Sequence, residues 1–376
     1  MSPANSSRLL RLLMMLYVPF LVLLALGMVG IVVGVIILTV LAPSILCAWL
    51  LPLVGLLILT LIQFAQATQV MLSAQESDRD ESELRLSRKK LQGLYDLVNK
   101  VAQERGLRAP DEIRLAAETV AHVYEDPHGK EILVIGGFAI ASFSQQTLAG
   151  IIAHELGHFA AGDARLGRKT HRRQMFMAFL DNHLSGRLSS FLNPLVWMVR
   201  AYHWLYFLAW AANSRSQEIQ ADKQEVKQVG KDRAAAALLY TTVLAGMPWL
   251  RLSDIAESHA KGNDRLDGIF AEQVRRVTTI RPSDWQEACR REMKKKTGWL
   301  DTHPQLRERL AAMGVSPRKA MQLPVEESGP RASILLPDWR EIEKRLTDWI
   351  VDIYRQHHAA KMEIAQIILG RSVYWD

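Results

Sequence analysis

The chain has 376 residues, of which 49% are hydrophobic, and carries a formal net charge of +7 with a pI near 9.4. This length and composition allow a membrane part together with one medium-sized globular domain. Only two cysteines are present, Cys47 and Cys289, and neither has a partner at metal-binding spacing, which argues against a closed cysteine metal site.

The N-terminal region is predicted to cross a membrane twice. From Leu12 to Gln75 there is no Asp, Glu, Lys, Arg or His. Because one span needs about 20 apolar residues, this stretch accommodates two, which we place at about 12–40 and 44–65 with a turn at Ala42-Pro43. The apolar stretch is too long for the core of a cleaved signal peptide.

Basic residues flank the predicted hairpin on both outer sides. Arg8 and Arg11 precede the first span, and five basic residues follow the second: Arg79, Arg85, Arg88, Lys89 and Lys90. The turn between the spans carries no charge. By the positive-inside rule, both ends of the hairpin and the domain that follows face the cytoplasm.

The next two elements are a helix and a strand. Apolar spacing predicts a helix over Leu84 to Gly106, where the glycine ends it. The β-branched and aromatic run from Glu131 to Ile140 favours a strand, in which Gly136 and Gly137 permit a bulge or a close backbone approach.

A helix after this strand carries a motif suited to metal binding, His154-Glu155-Leu156-Gly157-His158. Residues four apart lie one above the other on a helix, so His154 and His158 can offer two imidazoles to one ion while Glu155 flanks it. Ser144 is placed to cap the start of this helix and Gly162 to end it. The motif also occurs by chance on ordinary helices, so a third ligand is required.

A basic run of Arg and Lys between 165 and 173 follows, and then an aromatic, apolar segment from Phe191 to Ala212. No nucleic-acid module accompanies the run, and attraction to anionic lipid headgroups or a solvated face explains it better. The aromatic segment contains Arg200 and His203, which suits a helix lying at the membrane interface or, alternatively, a further membrane span.

Two acidic residues lie one turn apart on the next predicted helix. Glu218 is well suited to be the third metal ligand, and Asp222 could accept a hydrogen bond from the second nitrogen of a ligating histidine. The alternative is an exposed acidic pair on a polar helix end. Further along, Ala234 to Leu250 reads as a buried helix, the four prolines between 313 and 337 mark a linker, and Trp339 to Leu369 is predicted to be a long amphipathic helix.

The two blocks His-Glu-x-Gly-His and Ser-Arg-x-x-Glu-x-x-Ala-Asp, some 60 residues apart, resemble the membrane zinc metallopeptidases of the HtpX and CAAX prenyl protease type, which are gluzincins. The resemblance implies that His154, His158 and Glu218 bind one zinc ion and that Glu155 is the catalytic base. The block from Thr302 to Arg309, which contains Thr302-His303-Pro304, also resembles the later Thr-His-Pro block of the family with its trailing arginine.

Roles are also expected for His303, Arg307, Gly136 and Gly137, and the resemblance implies those of His303 and the two glycines. His303 would approach the metal as a transient ligand or stabilise the oxyanion, with Arg307 a weaker candidate for the second role; a surface histidine capping a helix is the alternative. Backbone groups at Gly136 and Gly137 would bind an extended substrate at a strand edge. The alternative is an internal strand that turns at the two glycines and binds no substrate.

The predicted fold is mainly α with a small β-sheet, a gluzincin-type zinc peptidase domain attached to a transmembrane helical hairpin. We predict the hairpin in 1–70, the peptidase domain in 71–315 with a membrane-dipping or spanning segment at about 175–212, and a linker with the amphipathic helix in 316–376.

The predicted function is zinc-dependent hydrolysis of peptide bonds in a bacterial inner membrane, with the peptidase domain in the cytoplasm and a role in membrane-protein quality control or processing. The expected partners are peptide or membrane-protein substrates and membrane lipid, without nucleic acid. The alternatives are a non-catalytic membrane zinc protein that serves as a binding scaffold, and a prenyl-peptide processing protease.

Overall fold

The structure is a computed structural model. It describes residues 3–41, 83–117, 121–126, 128–160, 194–247, 251–262, 268–323 and 329–372, together with residue 266 and parts of 52–69 and 176–181. By contacts the chain divides into two compact units. The first unit is Met1–Asp78, Leu166–Ser216 and Gly298–His303, and the second unit is Arg79–Arg165, Gln217–Thr297 and Pro304–Asp376.

The first unit is built around helix α1, Pro3–Leu41. Within the described residues it is the one helix that is long and apolar enough to cross a membrane. A stripe of its N-terminal half, from Leu10 through Tyr17 to Leu21, packs against Tyr206 and Ala209 of a later helix, while most of its remaining apolar side chains are exposed. The second predicted span, 44–65, lies largely outside the described residues.

A buried hydrogen-bonded chain joins three parts of the first unit. The Tyr17 hydroxyl lies 3.1 Å from Nε2 of His203, whose Nδ1 lies 3.1 Å from Oδ2 of Asp181. The Tyr202 hydroxyl donates to the carbonyl of Leu13 at 2.5 Å. Because hydrogen-bonded polar groups are favoured over unpaired ones in an apolar interior, these bonds fix α1 against the helix that carries Tyr202 and His203.

The second unit contains a four-stranded sheet. Its strands are β1 Glu83–Leu84, β2 Glu112–Ala116, β3 Ala121–Glu125 and β4 Glu131–Gly136, in the spatial order β1-β2-β4-β3. β2 and β4 are parallel, whereas β1 and β3 run antiparallel to their neighbours. β4 is therefore central, and β3 is an edge strand of the described sheet.

The described helices after α1 are mostly in the second unit. Their bounds are α2 Gln92–Arg105, α3 Gly137–Ser142, α4 Gln145–Ala160, α5 Pro194–Val229, α6 Lys231–Ala245, α7 Leu252–Gly262, α8 Ile269–Thr278, α9 Pro282–Lys294, α10 Leu306–Ala312, α11 Pro317–Ala320 and α12 Trp339–Ser372. The mainly helical fold with a small sheet is as predicted. One large core joins α2, the sheet, α4, α6 and α12.

Two predicted boundaries are wrong. The helix expected from Leu84 begins only at Gln92, because Leu84 pairs with Leu115 in the sheet; its end at Gly106, which has φ +63°, is as predicted. The strand expected through Ile140 ends at Gly136, and helix α3 begins at Gly137. An apolar run of this length fits a buried strand or a buried helix equally well.

The predicted role of Gly136 and Gly137 in binding a substrate at a strand edge is also wrong. β4 is flanked on both sides by other strands, and Gly136 pairs with Ala116 of β2. A Cβ at Gly137 would overlap the ring of Phe270, so this glycine is required for packing α3 against α8. Gly137→Val would therefore disturb the core.

Helix α12 confirms the predicted long C-terminal helix and has a clear packing role. Its Glu343 carboxylate accepts a hydrogen bond from the Ala271 backbone N–H at 2.7 Å, and the Thr347 hydroxyl accepts one from the Ile269 N–H at 2.9 Å. Free N–H groups at a helix start need such acceptors. The C-terminal helix thus caps α8 within the second unit.

Candidate active site

Helix α4 places the His-Glu-x-x-His motif beside the C-terminal part of α5. The Ser144 hydroxyl accepts a hydrogen bond from the Thr147 N–H at 3.2 Å, as predicted for the start of this helix. Gly162, its predicted end, lies outside the described residues. A Cβ at Gly150 would lie 2.9 Å from the Val229 side chain, and one at Gly157 would lie 3.2 Å from Gln224. These two glycines let the helices approach closely enough to share a site.

Three donor groups of α4 and α5 converge, namely those of His154, His158 and Glu218. Nε2 of His154 is 3.3 Å from Nε2 of His158, and the two nitrogens are 3.8 and 3.7 Å from the nearer oxygens of Glu218. Tetrahedral zinc with ligand distances of about 2.0–2.1 Å separates its ligand atoms by about 3.4 Å. The residues present therefore fit a zinc ion.

A buried ion pair lies behind this donor set. Arg309 of α10 donates to both oxygens of Asp222, at 2.9 and 2.5 Å, and its Nη1 lies 3.3 Å from Glu218. Asp222 in turn lies 3.3 Å from Nδ1 of His154. A carboxylate at this nitrogen favours the tautomer whose Nε2 is free to bind a metal. Arg309 thus holds in place a residue that orients a ligand.

Burial and neighbouring charges shift several pKa values in this cluster. Burial alone would lower the pKa of His154, but Asp222 and Glu155 outweigh it and raise that pKa to about 9. Burial raises the pKa of Glu155, against the opposing effect of His154, His158 and His122. Burial would also raise the pKa of Asp222, yet Arg309 and His154 lower it. A bound divalent cation would favour neutral imidazoles and reverse the shift at His154.

A second set of donors, His154, Asp222 and Glu225, is close enough to hold an ion. Glu225 is buried, which raises its pKa to about 7, so it is protonated much of the time at neutral pH. Asp222 is already occupied by the guanidinium of Arg309. Because both oxygens of Asp222 accept hydrogen bonds from that guanidinium, Asp222 is the poorer metal ligand, and the first set is the better metal site.

The structure brings together His154, Glu155, His158, Glu218 and Asp222, all in the second unit. His303 belongs to the first unit, where its side chain is exposed, so its role in the chemistry stays a prediction. Arg307, the arginine named in the sequence analysis, is exposed. The arginine that contacts the site is Arg309.

Three residues of the cluster escaped the sequence analysis: Arg309, Glu225 and His122. Glu225 follows Glu218 by seven residues on the same helix, and that two-turn spacing was a usable signal. His122 lies on the edge strand β3, and its charge acts on Glu155. No spacing rule relates a strand residue to a helix motif that begins 32 positions later.

Two histidines with a glutamate between them on one helix, and a carboxylate on a later helix, form the donor pattern of helical zinc metallopeptidases. Residues 88–314, more than half of the chain, match the model of peptidase family M48. The chain belongs to that family, which is zinc-dependent, and it is accordingly a metallopeptidase. No curated protein and no solved structure matched the chain.

Proposed function

We propose that this protein is a membrane-anchored zinc endopeptidase that cleaves peptide or membrane-protein substrates. The observation that carries the proposal is the convergence of His154, His158 and Glu218 at the spacing of a tetrahedral site, with Glu155 on the same helix. Three protein ligands are the number that a catalytic zinc takes, since its fourth position is left for water.

In the proposed mechanism, Glu155 accepts a proton from the attacking water and passes it to the leaving amine. Zinc, when bound by His154, His158 and Glu218, lowers the pKa of water and polarises the scissile carbonyl. The burial of Glu155 suits a proton acceptor, because a raised pKa lies closer to the working pH. Asp222 orients His154, and Arg309 holds Asp222.

The extended substrate is proposed to add to β3. This strand pairs with β4 on one side, and it packs beside the helix that carries Glu155. Strand addition supplies backbone hydrogen bonds without requiring a particular sequence. This sequence-independent binding suits a protease that acts on unfolded segments. His303 is proposed to stabilise the oxyanion, as the family resemblance implies.

Helix α1 is the proposed membrane anchor. Its length, composition and exposed apolar side chains suit lipid contact. By the positive-inside rule, the basic residues outside the predicted hairpin favour a cytoplasmic peptidase part, so the proposed setting is a bacterial inner membrane. The proposed biological role is membrane-protein quality control or processing.

The test is cleavage of casein and of an unfolded membrane protein by the purified full chain, before and after zinc removal with dipicolinate. We expect cleavage to be lost on removal and restored by stoichiometric zinc, with internal fragments in the mass spectrum. Equal cleavage without zinc would refute the zinc mechanism. Stoichiometric zinc binding without cleavage of any substrate would favour the binding scaffold, and cleavage of prenylated peptides alone would favour prenyl-peptide processing.

A further inference from the structure

A short loop between α9 and α10 exposes two adjacent large apolar side chains. We call Gly298 to Asp301 the Trp-Leu loop; in it, Trp299 is 77% exposed and Leu300 55% exposed. Tryptophan is among the side chains that gain most from leaving water, and it is usually highly buried. Two neighbouring apolar side chains at a loop tip therefore indicate a surface that contacts a partner.

The exposed position of the Trp-Leu loop is fixed by hydrogen bonds. The guanidinium of Arg215 donates to the carbonyls of Trp299 at 3.2 Å and Asp301 at 2.6 Å. The Gly298 N–H donates to the Asp301 carboxylate at 2.7 Å. These bonds hold the backbone in a tight turn whose tip presents the two side chains. Such preorganisation lowers the entropy cost of binding.

The sequence before the loop is strongly basic. Residues 290–301 contain five basic residues, Arg290, Arg291, Lys294, Lys295 and Lys296, against two acidic ones, Glu292 and Asp301. The three lysines are exposed, and Lys295 pairs with Glu292 at 2.5 Å. Exposed lysines three to five residues before an exposed tryptophan in the sequence are complementary to an anionic lipid surface, where the headgroups bind the charge and the interface accepts the indole.

The Trp-Leu loop belongs to the first unit, and the surface of that unit also indicates contact with lipid. Among the described residues, the exposed large apolar side chains fall almost entirely in the first unit. They lie on α1, at Ile58 and Ile62, on the N-terminal part of α5, and in the Trp-Leu loop. The exceptions are Ile334 and Ile353 of the second unit. The first unit thus has an apolar surface, whereas the surface of the second unit is polar. This difference fits contact of the first unit with lipid.

We propose that the Trp-Leu loop is a second membrane contact, which inserts Trp299 and Leu300 into the interface of an anionic bilayer while Lys294 and Lys296 bind its headgroups. Along the chain, Arg215 precedes Glu218 by three residues. The loop precedes α10, the helix that contains Arg309. The membrane contact is thereby linked covalently to residues that build the site. The proposal rests on membrane anchoring through α1 and is independent of peptidase activity.

The test measures lipid contact at single positions of the full chain reconstituted in nanodiscs. The two native cysteines are first removed by Cys47→Ser and Cys289→Ala. Three variants then each carry one new cysteine for a fluorescent label: Trp299→Cys in the loop, Leu23→Cys on α1, and Ile334→Cys. Ile334 is 67% exposed and Leu23 68%, so the three labels start from similar exposure. Nitroxide lipids then quench labels within the bilayer.

We expect quenching at 299 to exceed that at 334 by at least about threefold, because an inserted side chain lies 5–10 Å into the interface. Quenching at 23 with none at 299 would overturn the loop proposal and leave the anchor intact. A lack of quenching at 23 would overturn the anchor, and the loop proposal with it. A label at 299 that responds to a substrate peptide and not to lipid would assign the loop to substrate binding and overturn the proposal.

The lysines are tested by varying the anionic lipid. Quenching at 299 should rise with the phosphatidylglycerol fraction, and each lysine replaced should weaken loop partitioning roughly fivefold. The Lys294→Gln, Lys296→Gln variant is compared with Lys130→Gln, Lys344→Gln, which removes two exposed lysines that are distant from the loop in the sequence. An equal response of the two double variants would contradict the headgroup contact.

Discussion

The Glu155→Gln variant is expected to bind zinc stoichiometrically and to lose peptide cleavage by roughly 100- to 10,000-fold, the usual contribution of a general base. The glutamine amide keeps the shape of the side chain but cannot take up a proton at neutral pH. The donor atoms of His154, His158 and Glu218 are untouched, so metal content should not change. Zinc analysis and cleavage of the same preparation measure both quantities.

The matched control is Glu308→Gln, the same chemical change at an exposed residue of α10. It should leave cleavage and zinc content at the wild-type level. If Glu155→Gln cleaved as fast as Glu308→Gln with full zinc, Glu155 could not be the proton acceptor. Loss of zinc together with cleavage would instead show that Glu155 supports the metal site.

The Arg309→Met variant is expected to lose roughly 3–5 kcal/mol of folding stability, as happens when one partner of a buried ion pair is removed. Methionine fills much of the volume, but Asp222 and Glu218 are left close together without their cation. For a protein of this size such a loss lowers the melting temperature by about 10 °C. Thermal unfolding of the zinc-free and zinc-bound protein measures the effect.

Bound zinc should reduce the loss, because its charge partly replaces that of the guanidinium. Arg307→Met is the control, since Arg307 lies two residues earlier on the same helix and is exposed. It should change the melting temperature by no more than a degree or two. Equal shifts for the two variants would contradict the role assigned to Arg309.

Helical periodicity was enough to predict the central part of the site. An i,i+4 spacing fixes His154 and His158 on one face of α4 whatever the rest of the fold, and the apolar stripe before them identifies the helix. The same rule puts Glu218 and Asp222 on one face of α5. Local spacing therefore carried information about which side chains share a surface.

Contacts between distant segments could not be predicted in this way. Arg307 and Arg309 sit in the same block, and only the packing of α10 decides that Arg309 enters the site and Arg307 faces solvent. Gly136 and Gly137 looked like a strand edge because neither the position of β4 inside the sheet nor the ring of Phe270 is encoded locally. Tertiary structure determines both outcomes.

The most direct test of the central claim is zinc X-ray absorption spectroscopy on the full chain at one zinc per protein. We expect only nitrogen and oxygen ligands at about 2.0–2.2 Å, with the outer-shell signature of two imidazoles, and one imidazole fewer in His158→Ala. A sulfur ligand at about 2.3 Å, or the same spectrum in wild type and His158→Ala, would contradict a zinc held by His154, His158 and Glu218.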